Sequence, residues 1–100
     1  MYARLTTAQI QPGKLDEFIR IFDSLTPQLK DVKALVSMRL LCDHTANTAI
    51  AESLYETLAG MEAGTPLLQQ TLANPSVAAL LAGPPVIAVY EVAARWTAHP

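Results

Sequence analysis

One hundred residues suffice for one domain built on a single core, so residues 1–100 read as one unit. Apolar residues make up 51% of the chain and charged ones 16%, which excludes a disordered tail. Seven basic against nine acidic residues give a net charge of −2 with no cluster of Lys or Arg, so the basic footprint that nucleic acid requires is missing.

The first segment, Tyr2 to Ile10, mixes Tyr, Leu, Thr and Ile as strands do, and Gln11-Pro12-Gly13 breaks it. From Lys14 the period changes. Leu15, Phe18, Ile19, Phe22, Leu25 and Leu29 form one stripe of an amphipathic helix, with Asp16 and Glu17 at the positive end of its dipole. Pro27 is expected to kink or end that helix near Thr26. Ala34 to Cys42 reads as a second strand, His44 to Asn47 as a four-residue hairpin loop, and Thr48 to Glu56 as a third strand antiparallel to the second. Thr57 to Ala82 is helical in pieces: Gly60 and Gly64 weaken the first, Thr65-Pro66 and Asn74-Pro75 each supply an N-cap followed by Pro, and Gly83 with Pro84-Pro85 stops the last. Val86 to Trp96 reads as a fourth strand, followed by a tail ending in His99-Pro100.

The fold class is therefore α+β. The order β-α-β-β-α-β is ferredoxin-like: one four-stranded antiparallel sheet with helices on one face. Strand alternation then separates the two faces. Val36, Met38, Leu40 and Cys42, with Val86, Ala88, Tyr90 and Val92, suit the helix-covered side. Leu35, Leu41, Ile50, Leu54, Ile87 and Val89 are left on the other, a large apolar patch for a monomer. A four-residue loop places Asp43 opposite Thr48 and Arg39 opposite Glu52, and Arg4 and Glu91 have matching parity; Arg39, Glu52, Arg4 and Glu91 are expected on the open face. The expected partner is a second copy, the two sheets meeting face to face as a homodimer. No partner in nucleic acid or membrane is expected, since no apolar run approaches the ~20 residues of a membrane span. With one cysteine, Cys42, no intrachain disulfide and no cysteine-rich zinc site can form. The N-terminus lacks a signal-peptide core, so a cytoplasmic location is expected.

Gln11-Pro12-Gly13-Lys14 followed by Phe18, the Ser37-to-Cys42 strand, the hairpin into Ala51-Glu-Ser-Leu-Tyr55, Asn74-Pro75 and the strand Val89-Tyr90-Glu91-Val92 together resemble the antibiotic biosynthesis monooxygenase domain. The resemblance spans nearly the whole chain and implies the dimeric α+β barrel, whose sheets pair across a two-fold axis. It also implies a pocket between helices and sheet, and a cofactor-independent monooxygenase acting on a phenolic or quinol-like molecule whose anion reacts with oxygen. The alternative is a non-catalytic ligand-binding or stress-related dimer of the same superfamily. Where the family often carries Trp near the end of the third strand, this chain has Tyr55. Haem-degrading relatives add Asn on the first strand and His on the later helix. Here Thr6 and Thr7 stand on the first strand and no histidine falls between His44 and His99, so no haem or metal is expected.

Tyr55 and Tyr90 are read as facing the helices and are the candidate catalytic pair, orienting a substrate hydroxyl from within an apolar cavity. Thr7, Met38, Ser53 and Gln70 are the candidate substrate-binding residues, and Ala49, Ala51 and Ala88 leave space above the sheet. Met61, Leu67, Leu68, Leu72 and Leu80 would form the helical lid. As core tyrosines, Tyr55 and Tyr90 would instead simply pack. His44 would serve an isomerase or lyase only if its loop reached the pocket. Cys42 reads as a small core hydrophobe, and His99 as a frayed tail.

Overall fold

A computed structural model describes residues 1–98; His99 and Pro100, and with them the expected frayed tail, lie outside the described residues. The elements run β1 (Tyr2–Gln9), α1 (Leu15–Leu25), a 3₁₀ segment (Thr26–Asp31), β2 (Leu35–Asp43), β3 (Thr48–Tyr55), α2 (Leu58–Ala63), α3 (Thr65–Ala73), α4 (Pro75–Ala78) and β4 (Val86–Glu91). The sheet is antiparallel throughout with the order β2-β3-β1-β4. This is the ferredoxin-like arrangement.

Local chemistry sets most boundaries. Gly13 turns the chain with φ +76, a conformation that suits a residue lacking Cβ. Pro27 ends the α-helix but lets a 3₁₀ turn continue to Asp31, since Pro is tolerated near the start of such a segment. In the hairpin, Asp43 Oδ1 accepts from the amides of Thr45 (2.9 Å) and Ala46 (3.1 Å), and Asn47 takes φ +52. Thr57 Oγ1 accepts from Gly60 N at 3.0 Å and Asn74 Oδ1 from Ser76 N at 2.9 Å, capping α2 and α4. Thr65 does not cap α3. It is the first helical residue, Gly64 occupies the cap position, and the Thr65 hydroxyl is engaged elsewhere.

Register follows the hairpin: Asp43 pairs with Thr48 and Arg39 with Glu52, whose side chains form a two-point ion pair at 2.9 and 3.2 Å. A bulge between Leu35 and Ser37 sets Leu35 opposite Tyr55 and leaves Val36 exposed. The fourth strand is shorter than expected and ends at Glu91; beyond it Val92 N donates to Met1 O at 2.9 Å and Arg95 Nη1 to Met1 Sδ at 3.4 Å.

Two strands present the reverse of their expected faces. Arg4, Thr6 and Ala8 are buried under the helices, opposite Ser53, Ala51 and Ala49, so Thr7 points to the open face. On β4, Ile87 and Val89 share the side of Thr6 and Arg4, while Val86, Ala88 and Tyr90 share the open side with Thr7, Leu5 and Ala3. Arg4 and Glu91 keep matching parity, but on the helix side. Cys42 is likewise no core residue: it lies near the hairpin end of edge strand β2 and is exposed.

The core sits at one end of the sheet. Ala8, Ile10, Ala49, Leu15, Phe18, Val77 and Leu80 form one buried cluster beneath α1 and α4. Each large side chain there contributes about 1.5–3 kcal/mol through burial. At the other end the sheet offers Thr6, Ala51 and Ser53, which are too short to fill the space beneath α3.

Candidate functional site

That space is a cavity of about 70 Å³ between sheet and helices, lined by Arg4, Thr6, Met38, Ser53 and Tyr55 from the sheet, and by Phe22, Leu25, Gly64, Leu67, Leu68 and Thr71 from the helical side. Exposed Gln28 stands on its rim. A second, almost wholly apolar lobe of about 50 Å³ adjoins it through Thr6, Phe22, Leu25, Ala51, Leu68 and Thr71, and ends against Ala8, Leu40 and Val77. One buried water needs roughly 10–15 Å³ of such space, so the main lobe holds several waters or one aromatic ring.

Three expected site residues come together here: Tyr55, Met38 and Ser53. Three do not. Tyr90 is 59% exposed on the opposite side of the sheet, which removes it from any catalytic pair with Tyr55. Thr7 follows the same reversal of face. Gln70 lies on the outer side of α3, exposed, while its neighbour Thr71 lines the cavity and donates to Leu67 O at 2.9 Å. Of the expected lid, Leu67 and Leu68 line the main lobe and Leu72 the second; Met61 and Leu80 are buried packing. His44 stands in the hairpin, exposed, 3.4 Å from Asp16, away from the cavity.

The residue that strand alternation misplaces is Arg4. It is buried, its Nη2 donating to Met61 O at 2.7 Å and to Thr65 Oγ1 at 3.1 Å, with its guanidinium carbon 5.7 Å from the centre of the Tyr55 ring. The aromatic face gives the cation partial compensation. Ser53 donates to Arg4 O at 3.5 Å from the neighbouring strand. Tyr55 itself is buried, and Gly64 comes so close that an added Cβ would stand 2.7 Å from its hydroxyl. The signal for Arg4 is present in the sequence: a charged residue inside a strand of otherwise neutral side chains.

The polar groups lining the main lobe are Arg4, Thr6, Thr26, Gln28, Ser53, Tyr55 and Thr71. They comprise hydroxyls, an amide and a cation. No carboxylate and no imidazole lines it, and no group of three His, Cys, Asp or Glu among the described residues is placed to hold a metal. Among the described residues no helix is long and apolar enough to cross a membrane.

No protein-family model matches the chain, and no curated protein matches it in sequence. Solved structures do match. A protein of unknown function from Nitrosomonas europaea superposes with a TM-score of 0.81 at 20% identity, covering 96% of this chain and 92% of that one. A structure named antibiotic biosynthesis monooxygenase gives 0.73 at 12% identity over 91% and 97%. A mutant of MhuD, with two manganese protoporphyrin IX molecules bound per active site, gives 0.79 at 11% identity over 97% and 99%. At these identities the likeness is one of architecture. The chain thus has the ferredoxin-like α+β fold shared by the antibiotic biosynthesis monooxygenase proteins.

Proposed function

We propose that residues 1–100 act as a single domain that binds one small aromatic molecule, phenolic or quinol-like, between sheet and helices. The observation that carries this reading is the cavity itself, which is apolar over most of its wall and is lined by Tyr55 on its sheet side. Tyr55 orients the ring oxygen, Ser53 and Met38 flank it, and the lobe under Leu68 and Leu72 receives the apolar end.

As a cofactor-independent monooxygenase the protein would let the ring anion react with molecular oxygen. A ring C–H becomes C=O, and the hydrogen of that C–H and the phenolic proton leave with the other oxygen atom as water, so that a quinone results. The helices exclude bulk water from that step. Hydroquinone-type substrates incubated with the protein, with oxygen uptake followed, test this reading; uptake that Tyr55→Phe leaves unchanged overturns the catalytic role. The second reading, a non-catalytic ligand-binding dimer, is favoured by the lack of a carboxylate or imidazole on the cavity wall to act as base. Binding of the ring without oxygen uptake selects it.

The working form we propose is a homodimer through the open sheet face. Leu5, Leu41, Ile50, Leu54, Val86 and Tyr90 project there, with Arg39 and Glu52 paired among them. An apolar surface spread over four strands favours a second copy of itself. The unpaired thiol of Cys42 suits a reducing compartment, consistent with the cytoplasm.

A further inference from the structure

Arg4 carries a charge that its surroundings do not answer. A guanidinium has five N–H donors. Two of them, both on Nη2, are taken by Met61 O and Thr65 Oγ1. For the protons on Nε and Nη1 there is no acceptor among the described residues, and Arg4 forms no ion pair there. The residue nonetheless has only 6% of its surface exposed, and it lines the cavity. Buried cations are ordinarily matched by an anion, because desolvation of an unmatched charge is costly. The Tyr55 ring offsets part of that cost and supplies no negative charge.

A second group points the same way. Tyr55 has only 4% of its surface exposed, and its hydroxyl has no hydrogen-bond partner among the described residues. No buried side-chain polar atom there is sealed off without a partner, so the unused protons of Arg4 and the Tyr55 hydroxyl keep some surface that water can reach, and both residues line the cavity. Two residues with unused donors therefore line a hollow whose wall carries no carboxylate.

We propose that the cavity selects an anion: a single aromatic ring bearing a negatively charged oxygen, phenolate or carboxylate, held between the free N–H groups of Arg4 and the Tyr55 hydroxyl. This rests on the reading of the cavity as an aromatic site and names the charge state that it takes. Arg4 is the specificity-determining group. A charge-assisted hydrogen bond is roughly twice as strong as a neutral one, and in a water-poor site the difference is retained. The missing base is then no defect, since the ligand is bound already deprotonated.

The test is a calorimetric comparison of matched probes on the wild-type protein: 4-nitrobenzoate against 4-nitrobenzamide, and 4-nitrophenol against 4-nitroanisole, the phenolate also followed by its absorbance. The anion of each pair is expected to bind about tenfold or more tightly than its neutral analogue, and the protein to draw 4-nitrophenol toward its coloured phenolate. Arg4→Met should bring the ratio of anionic to neutral affinity down to about one, and Tyr55→Phe, which keeps the ring under Arg4, should lower that ratio by less. A carboxylate preference without a phenolate one would identify the source of the charge. Equal binding of anionic and neutral probes overturns the proposal and spares the aromatic-site reading. Binding of none of the four overturns both. Should Arg4→Met fail to fold, the wild-type comparison and Tyr55→Phe still decide.

Discussion

Gly64 and Tyr55 fit against one another with no room for a methyl group: a Cβ on Gly64 would lie 2.7 Å from the Tyr55 hydroxyl and 3.4 Å from its Cζ. The glycine is needed there for space, since its φ of −84 is open to any residue. Gly64→Ala must therefore push the Tyr55 ring, the α2–α3 junction, or both. The expected cost is about 1–3 kcal/mol of stability, seen as a lowered urea midpoint. The displaced hydroxyl should weaken ring binding at least as much as Tyr55→Phe does. Unchanged stability and binding would show that the junction yields freely and that Tyr55 is not held in place.

Ala51 and Thr6 are the sheet residues beneath both lobes, so lengthening the smaller of them, Ala51, should fill the passage between the lobes. Ala51→Leu places its added carbons in a hollow and not in a packed core. Its stability should stay within about 1 kcal/mol of wild type, less than ordinary overpacking costs. Binding of any single-ring probe should fall about tenfold or more by calorimetry. If binding persists while stability drops, the ligand site lies elsewhere.

How far the sequence reveals this site depends on the strand. Faces and register of β3, and of β2 from Ser37 onward, are legible because the four-residue loop fixes their pairing, and Met38, Ser53 and Tyr55 follow from it; the bulge before Ser37 exchanges Leu35 and Val36. β1 misleads because its helix side carries Arg4 and Thr6 while its open side carries Leu5, the reverse of the usual burial order. β4 is apolar on both sides, Val86, Ala88 and Tyr90 against Ile87 and Val89, so alternation alone cannot orient it. Thr7 is misplaced by the first of these strands and Tyr90 by the second. Gln70 is misplaced for another reason: α3 has only a weakly sided sequence, and a rotation of one residue exchanges it for Thr71.

Leu54 lies on the open face of the inner strand β3, directly beside Ala3 and Ser37, within the proposed dimer surface. A charge there would face its own symmetry mate's surface without a partner. Leu54→Asp should raise the dimer dissociation constant about a hundredfold or more, because the penalty enters twice in a two-fold interface. Light scattering should give the wild type twice 10.8 kDa and the variant 10.8 kDa. The cavity lies on the other side of the sheet, so single-ring probes should still bind the variant. A wild type that is monomeric at micromolar concentration would refute the interface.

Cys42 is exposed near the hairpin end of β2, yet its thiol is pushed up from the ordinary value, first by the desolvation its sulfur meets and second by the Asp16 carboxylate. Only the thiolate is a nucleophile, so a raised value leaves less of it at neutral pH. Alkylation by iodoacetamide should be slower than for cysteine in an unstructured peptide, and the midpoint of its rate against pH should lie above that of the peptide. Asp16→Asn removes the smaller cause, so the midpoint should fall but stay above the peptide's. It also removes the negative charge beside His44, whose Nε2 lies 3.4 Å from Asp16, an exposed pair that contributes little to stability. A midpoint at or below the peptide value, or one that rises in Asp16→Asn, would show that the sulfur sits in a more electropositive setting than the Asp16 side of α1 provides.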